Sequence, residues 1–253
     1  MSENWLSRTD LLLSPEKTAL LKASNIIIVG LGGVGAYAAE MLARTGIGRM
    51  TIIDADIVNL SNLNRQLLAT HPNLGKSKAE LMAERLRAIN PEVELTVLNE
   101  FLNDDRILEV LKGQEYDYVV DAIDTLTPKQ NLIMYSVQEG LSIISSMGAG
   151  GKRNPEKIHI ADLSDTYNCR LAKILRKRLQ RHGIRKGIKT IYSSELQDKN
   201  AVLLCDDERN KKSTVGTISY MPAIFGCMMA AAVIEDLIKD HTPVLLSKHI
   251  STN

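Results

Sequence analysis

Apolar residues come in short blocks along this chain, and the spacing inside each block predicts the element it builds. Asn25-Ile-Ile-Ile-Val29 is a run without polar alternation that stops at a glycine, the pattern of a strand covered on both faces. Small residues from Gly33 to Thr45 predict a closely packed helix, and Met50-Thr-Ile-Ile-Asp54 predicts a second strand. From Lys76 to Ile89 the positions Leu81, Met82, Leu86 and Ile89 keep helical spacing, and Asn90-Pro91 predicts the stop. Val93 to Leu98 alternates as a strand, Arg106 to Leu111 reads as a short helix, and Tyr118-Val-Val-Asp121 as a strand. A helix at Leu132 to Gln138 and a strand at Leu141 to Ser145, running into Gly148-Ala-Gly-Gly151, complete the series. Five apolar strands alternating with helices predict an α/β fold, a doubly wound and mainly parallel Rossmann-like sheet. A sixth strand is expected at Lys157 to Leu163, followed by a basic helix, a polar stretch over about 194–213 and a C-terminal helix over about 223–238. Residues 1–253 read as one domain, with a nucleotide-binding core at about 20–150 and a C-terminal elaboration, facing the substrate, at about 151–240.

Gly30-Leu-Gly-Gly-Val-Gly35 follows the first strand and opens a helix. Glycines there permit a tight turn and bring backbone N–H groups up to phosphate oxygens at the helix N-terminus, where the dipole favours negative charge. Asp54 ends the second strand, where an acid accepting from ribose hydroxyls belongs. To this point NAD and ATP fit equally. The stretch Asp54-Ala-Asp56, followed by Asn62-Leu-Asn-Arg65-Gln66, separates them. Cleaving ATP between its α and β phosphates builds charge on the pentavalent phosphate and the leaving pyrophosphate, a demand that a dehydrogenase does not face. Arg65 offers a fork to phosphate oxygens, Asn62 and Gln66 can orient them, and Lys78 is a second phosphate cation. Asp121 and Asp124 end the fourth strand, at the edge where ligands collect in such sheets. Asp124 is the favoured magnesium ligand, and Asp121 is read as a cap on the strand end.

Taken in this order, these residues resemble the ThiF/MoeB/HesA superfamily of ATP-dependent carboxylate-adenylating enzymes, kin to ubiquitin-activating enzymes, over about residues 5–240. The resemblance implies Gly30, Gly32, Gly33 and Gly35 at the phosphates and Asp54, with Asp56 beside it, at the nucleoside. It also implies Asn62, Arg65, Gln66 and Lys78 along the triphosphate and Asp124 on magnesium. Arg8, in Ser7-Arg-Thr-Asp-Leu-Leu-Leu13, matches an arginine that reaches into the neighbouring subunit's ATP site, which implies a homodimer. Read from the residues alone, it is an exposed charge near the N-terminus.

Sulfur-carrier activators in that superfamily usually hold structural zinc on two CxxC pairs, and this chain has no CxxC. Arg8-Thr-Asp-Leu-Leu12, Gly148 to Gly151, the basic Leu175 to Leu179 helix, and Ile191-Tyr-Ser-Ser-Glu195 followed by Val215 to Tyr220 resemble a tRNA-modifying branch instead. That branch activates the threonyl carboxylate of a threonylcarbamoyl-modified adenosine next to the anticodon. The carbamoyl group then closes onto it, releasing AMP. ATP, Mg2+ and tRNA are thereby implied, and a monovalent cation and a cysteine desulfurase or sulfur-acceptor protein are further candidates. The competing reading is an adenylyltransferase for the C-terminal glycine of a small sulfur-carrier protein. An NAD-dependent oxidoreductase and a non-catalytic nucleotide sensor stand behind it.

Composition changes this picture at one point. A net charge of +1 argues against a nucleic-acid partner, but the charge is unevenly placed. No acid lies between Asp165 and Glu195, while Arg170 to Lys189 holds nine Lys or Arg. Cations so crowded repel one another unless an anion neutralises them, and an RNA backbone would do so with release of counterions. Arg170, Lys173, Arg176, Lys177, Arg178, Arg181, Arg185 and Lys186 are therefore the expected RNA contacts. Cys169, Cys205 and Cys227 fit neither a disulfide framework nor a zinc site. Cys169 is placed to take over an adenylated carbonyl, yet ring closure by the substrate's own nitrogen requires no enzyme nucleophile. Cys227 is expected in the core and Cys205 in a polar loop. The N-terminal residues show no export signal, so a cytoplasmic setting is expected. Ser213 to Ile234 is uncharged for 22 residues, long enough to cross a bilayer. Its Ser, Thr, Gly and Pro222 predict a strand or loop leading into a buried C-terminal helix instead.

Overall fold

β1 (Asn25–Val29) is buried at every position. Its alternation aims Ile26 and Ile28 at one layer of helices and Ile27 and Val29 at the other, so the strand needs apolar residues throughout. The computed structural model, which describes residues 4–208 and 211–239, repeats that logic across a seven-stranded sheet. β2 (Arg49–Ile53), β3 (Glu94–Leu98), β4 (Tyr118–Asp121), β5 (Ile143–Ser146), β6 (Ile158–Asp162) and β7 (Lys189–Ser193) join β1 in the order β3-β2-β1-β4-β5-β7-β6. Every pairing is parallel except that of β6, which runs antiparallel to β7 at the edge. Two helices, α1 (Ser7–Leu13) and α2 (Pro15–Ala23), lead into the sheet. One face is covered by α3 (Gly35–Arg44), α4 (Lys78–Ile89) and α8 (Tyr220–Leu237). The other carries α5 (Asp104–Gly113), α6 (Leu126–Gln138) and α7 (Arg170–Gln180). This is the doubly wound, mainly parallel α/β sheet that the hydrophobic pattern predicts.

The larger departures from the expected elements have physical causes. α6 begins at Leu126 rather than Leu132, because Pro128 falls in its first turn, where a missing N–H removes no hydrogen bond. α8 likewise starts at Tyr220 with Pro222 in its first turn. The motif around Ile191 is strand β7, hydrogen-bonded on both sides. The polar stretch holds β8 (Val202–Glu208), which forms an antiparallel hairpin with β9 (Lys211–Val215). Cys205 therefore lies in a strand, not a loop. Cys227 is exposed rather than in the core. It sits two residues from both Phe225 and Met229, on the opposite side of α8 from those buried side chains.

By length and composition α8 could cross a membrane, but Met221, Phe225, Met229, Ala230 and Val233 are buried in the core. A Cβ on Gly226 would come 2.3 Å from the Val34 carbonyl oxygen, so a glycine lets α8 lie directly on α3. The far end of α8 is fixed by charge. Asp236 accepts hydrogen bonds from Tyr118 Oη at 2.8 Å, from Lys239 Nζ at 2.7 Å and from Lys189. Burial pulls its carboxyl up, but the donors Lys189, Lys239 and Tyr118 outweigh that and bring its pKa down to about 2. The sign follows from linkage: the carboxylate stabilises the fold above the ordinary aspartate value of about 4, and the contribution is lost as pH falls towards 2. Asp236→Asn is expected to cost about 2 kcal/mol at neutral pH and to flatten the acid limb of stability, both measurable by urea unfolding at several pH values.

Candidate active site

Because β1, β2, β4, β5 and β7 are parallel, their carboxyl ends share one rim. The chain builds outward from β1 through β2 to β3 on one side and through β4 to β5 on the other, which opens a crevice between β1 and β4. Gly30 leaves β1 with φ +92°, and a Cβ there would lie 2.8 Å from the Ala122 carbonyl oxygen. At Gly35 an added Cβ would lie 1.7 Å from the Gly30 carbonyl oxygen. Only glycines close this turn, because backbone already fills the space a side chain would take. α3 starts without a side-chain cap, and of its first N–H groups that of Ala36 donates back to Gly32 O at 3.3 Å.

Asp54 joins the turn from the end of β2. Its carboxylate accepts the Leu31 N–H at 2.5 Å and the Asp56 N–H at 2.8 Å, which fixes it beside the glycines. Burial pushes its carboxyl up, against the opposing pull of Lys78 and the two N–H donors. Lys78 is buried at the head of α4, and its Nζ donates to Asp56 at 2.8 Å. Asp56 thus orients the lysine while its own side chain stays exposed.

The loop after β2 shows how the Asn-x-Asn-Arg-Gln cluster divides its work. Asn62 is buried, and its Oδ1 accepts the Asn59 N–H at 3.1 Å, so part of its amide shapes the turn. Arg65 lies against Gly33, and its Nη1 donates to Ser61 O and Asn64 Oδ1, both at 2.8 Å. Asn64 donates to the Thr217 carbonyl at 2.9 Å, tying the cluster to the segment before α8. Gln66 lies beside Gly32, and its Oε1 is buried without a hydrogen-bond partner. The atom nearest Gly32 is the amide donor Nε2, whereas the orphaned Oε1 can only accept, from a hydroxyl, an amine or a water and not from a phosphate oxygen. The Gly148–Gly151 and Val215–Tyr220 motifs also meet here: the Gly151 N–H donates to Gly216 O at 2.8 Å, and Tyr220 Oη donates to Arg153 O at 2.9 Å.

Asp121 does more than cap a strand end. It forms an ion pair with Lys129 at 2.8 Å, and both side chains are 0% exposed. Asp121 also accepts from Ser145 Oγ at 2.6 Å and from the Ile123 N–H at 3.1 Å, while Lys129 donates to Ile123 O at 3.0 Å. This cluster fixes the turn that presents Asp124, which is exposed. Lys129 is missed from sequence because the helix is expected to start three residues beyond it. A signal exists all the same, since Lys129 is the one charge in Leu126–Gln138. Among the described residues no three His, Cys, Asp or Glu side chains gather to hold a metal. A magnesium ion shared between Asp124, phosphates and water needs no such cluster.

The basic helix is not uniformly open. Ala172, Leu175 and Leu179 bury one face of α7. Arg176 turns inward, donating to Thr166 O at 2.6 Å and to Leu163 O at 3.3 Å, so it braces the segment that leads into α7. Arg178 reaches Gln130 Oε1 at 3.2 Å. Arg170, Lys173, Lys177, Arg181, Arg185 and Lys186 are exposed. Arg8 is exposed on α1. Cys169 is half-buried at the N-cap of α7, on the same rim.

A doubly wound sheet with a glycine turn at its crevice, an acid at the end of β2 and a cationic amide-rich loop has the form of a nucleotide-binding protein. The chain belongs to the ThiF family, whose model matches residues 7–252. It is 36% identical to tRNA threonylcarbamoyladenosine dehydratase of Bacillus subtilis, over 92% of this chain and 94% of that protein. It is 40% identical to the Escherichia coli enzyme of the same name, over 77% of this chain and 76% of that one. The crystal structure of the E. coli enzyme TcdA in complex with ATP superposes with a TM-score of 0.84 at 35% identity, covering 94% of this chain and 96% of that one.

Proposed function

We propose that this protein is an ATP- and magnesium-dependent tRNA threonylcarbamoyladenosine dehydratase that acts as a homodimer. The observation that carries the reading is the meeting, on one rim, of the phosphate turn, the Asn62–Gln66 cluster and the Gly148–Gly151 and Val215–Tyr220 motifs. The threonyl carboxylate attacks the α-phosphate, pyrophosphate leaves, and the carbamoyl nitrogen closes onto the activated carbonyl to expel AMP. One water is thereby removed from the modified base. Asp54 holds the ribose, the glycine turn and α3 hold phosphate oxygens, and Arg65, Gln66 and Lys78 balance the charge that grows in the transition state. Asp124 is the carboxylate for magnesium, which would supply Lewis-acid charge when bound.

Proximity alone supplies the ring-closing nitrogen, so Cys169 has no required role. The route consumes no sulfur, which leaves a cysteine desulfurase without a chemical part in it. Arg8 completes the neighbouring subunit's site. The dimer is supported by Leu11 and Leu12, which are 88% and 83% exposed on the same helix, an apolar edge that a second subunit would cover. Release of AMP with bulk tRNA carrying the linear modification, compared with a sulfur-carrier protein, tests the reading. AMP release driven by the carrier alone would replace it with the adenylyltransferase.

The exposed cations of α7 yield a further expectation. Replacing Lys173, Lys177 and Arg181 together with Gln spares the bracing Arg176 and should weaken tRNA binding while leaving ATP binding unchanged. The salt dependence of tRNA binding should flatten by about 0.7–0.9 logarithmic units for each phosphate that is no longer neutralised.

A further inference from the structure

The rim continues past β5 to β7 and the start of β6, and there it carries a feature that ATP handling does not use. Tyr167 is 54% exposed although its backbone is pinned on both sides. On one side the Arg176 guanidinium holds Thr166 O at 2.6 Å. On the other, Asn168 adopts φ +54°, in the left-handed region that non-glycine residues seldom occupy. Asn168 is kept there by donating from Nδ2 to Ser194 O at 2.9 Å and by accepting from the buried Lys152 Nζ at 3.2 Å. The backbone is thus fixed on both sides of Tyr167, which limits where its exposed ring can stand.

Beneath it lies an aromatic base. Tyr167 meets Tyr192 with ring centroids 5.7 Å apart and planes at 71°, and Tyr192 in turn meets His159 at 5.6 Å. His159 Nε2 lies 2.9 Å from Ser194 Oγ, which fixes the imidazole as well. A near-perpendicular contact covers at most one face of Tyr167, and more than half of the residue is exposed. Counting strands from β1 through β4 and β5 to β7 puts this platform ~15 Å along the rim from the phosphate turn. Arg170 and Lys173, both exposed in the first turns of α7, follow it directly in the chain.

We propose that Tyr167 is a stacking platform for an unpaired RNA base flanking the reacting adenosine, with Arg170 and Lys173 holding the adjoining phosphates. An open aromatic face beside cations is the combination that binds single-stranded nucleic acid, because every base has a π-face to offer. The inference rests on the tRNA reading above and assigns the substrate a direction, from the phosphate turn across β5 towards β6.

The test uses an anticodon stem-loop carrying the linear modification and, in parallel, the free modified nucleoside. Tyr167→Ala is expected to raise KM for the stem-loop roughly 5- to 150-fold while leaving KM for ATP and turnover of the nucleoside unchanged. Tyr167→Phe should restore binding, since it keeps the ring. A 2-aminopurine placed beside the modified position should be quenched on binding by the wild type and by Tyr167→Phe, and not by Tyr167→Ala. A stem-loop that binds equally well to Tyr167→Ala overturns the platform alone and leaves the dehydratase reading standing. So does a loss shared equally by ATP and nucleoside, which would mark Tyr167 as structural. Wild-type protein that neither binds the stem-loop nor releases AMP with it overturns both.

Discussion

Lys129→Met is expected to destabilise the protein by about 3–5 kcal/mol, the loss that follows when one member of a buried ion pair is left alone. Both charges are out of water, so the remaining Asp121 carboxylate would have to be protonated or drag water into the core. Lys129→Met combined with Asp121→Asn should recover most of that stability. Asn keeps an acceptor for the Ile123 N–H and a polar partner for Ser145 while removing the uncompensated charge. Turnover should not recover in full, because Ile123 O has lost its donor and the turn carrying Asp124 is less firmly held. Urea unfolding of the two variants separates these effects. Equal stability of Lys129→Met and wild type would show that the pair is not what holds this edge.

Arg65→Ala should lower AMP formation by about 10²–10³-fold, the usual consequence of removing one preorganised donor from developing charge. The Arg65 guanidinium is held through Nη1 by Ser61 O and Asn64 Oδ1, while the stem of the side chain lies against Gly33 at the glycine turn. The fold should survive, since Arg65 lies at the rim and not in the core. If Arg8 acts across a dimer, mixed dimers of Arg8→Ala and Arg65→Ala subunits should regain part of the activity, because one of the two sites is then intact. Activity in the Arg65→Ala homodimer close to wild type would remove this residue from the site.

The parts of the molecule most legible in the sequence were those where one residue type is physically required. β1 reads as a doubly buried strand because both of its faces need apolar side chains. Gly30 and Gly35 read as a tight turn because a Cβ at either position collides with backbone. Asp54 could be placed at the end of β2 because a strand end fixes where its side chain can act. Less legible were residues whose role depends on a distant partner. That Lys129 is the one charge in its helix marks it as unusual, but only the fold shows that it neutralises Asp121 inside the core. Arg176 looks like its neighbours in a basic run, and only the fold turns it inward to Thr166. Cys227 sits in an apolar stretch, yet helical periodicity puts it on the outer face. Local periodicity shows where elements lie, whereas pairings between elements decide what individual charges do.

One chemical event is central to the proposed function, and it can be measured directly. Purified protein would be incubated with ATP, Mg2+ and tRNA bearing linear threonylcarbamoyladenosine, and the nucleosides of the digested tRNA weighed by mass spectrometry. The predicted result is a modified adenosine lighter by one water, formed only with ATP and in step with AMP release. A nucleoside of unchanged mass from tRNA incubated with active, ATP-binding protein would contradict it.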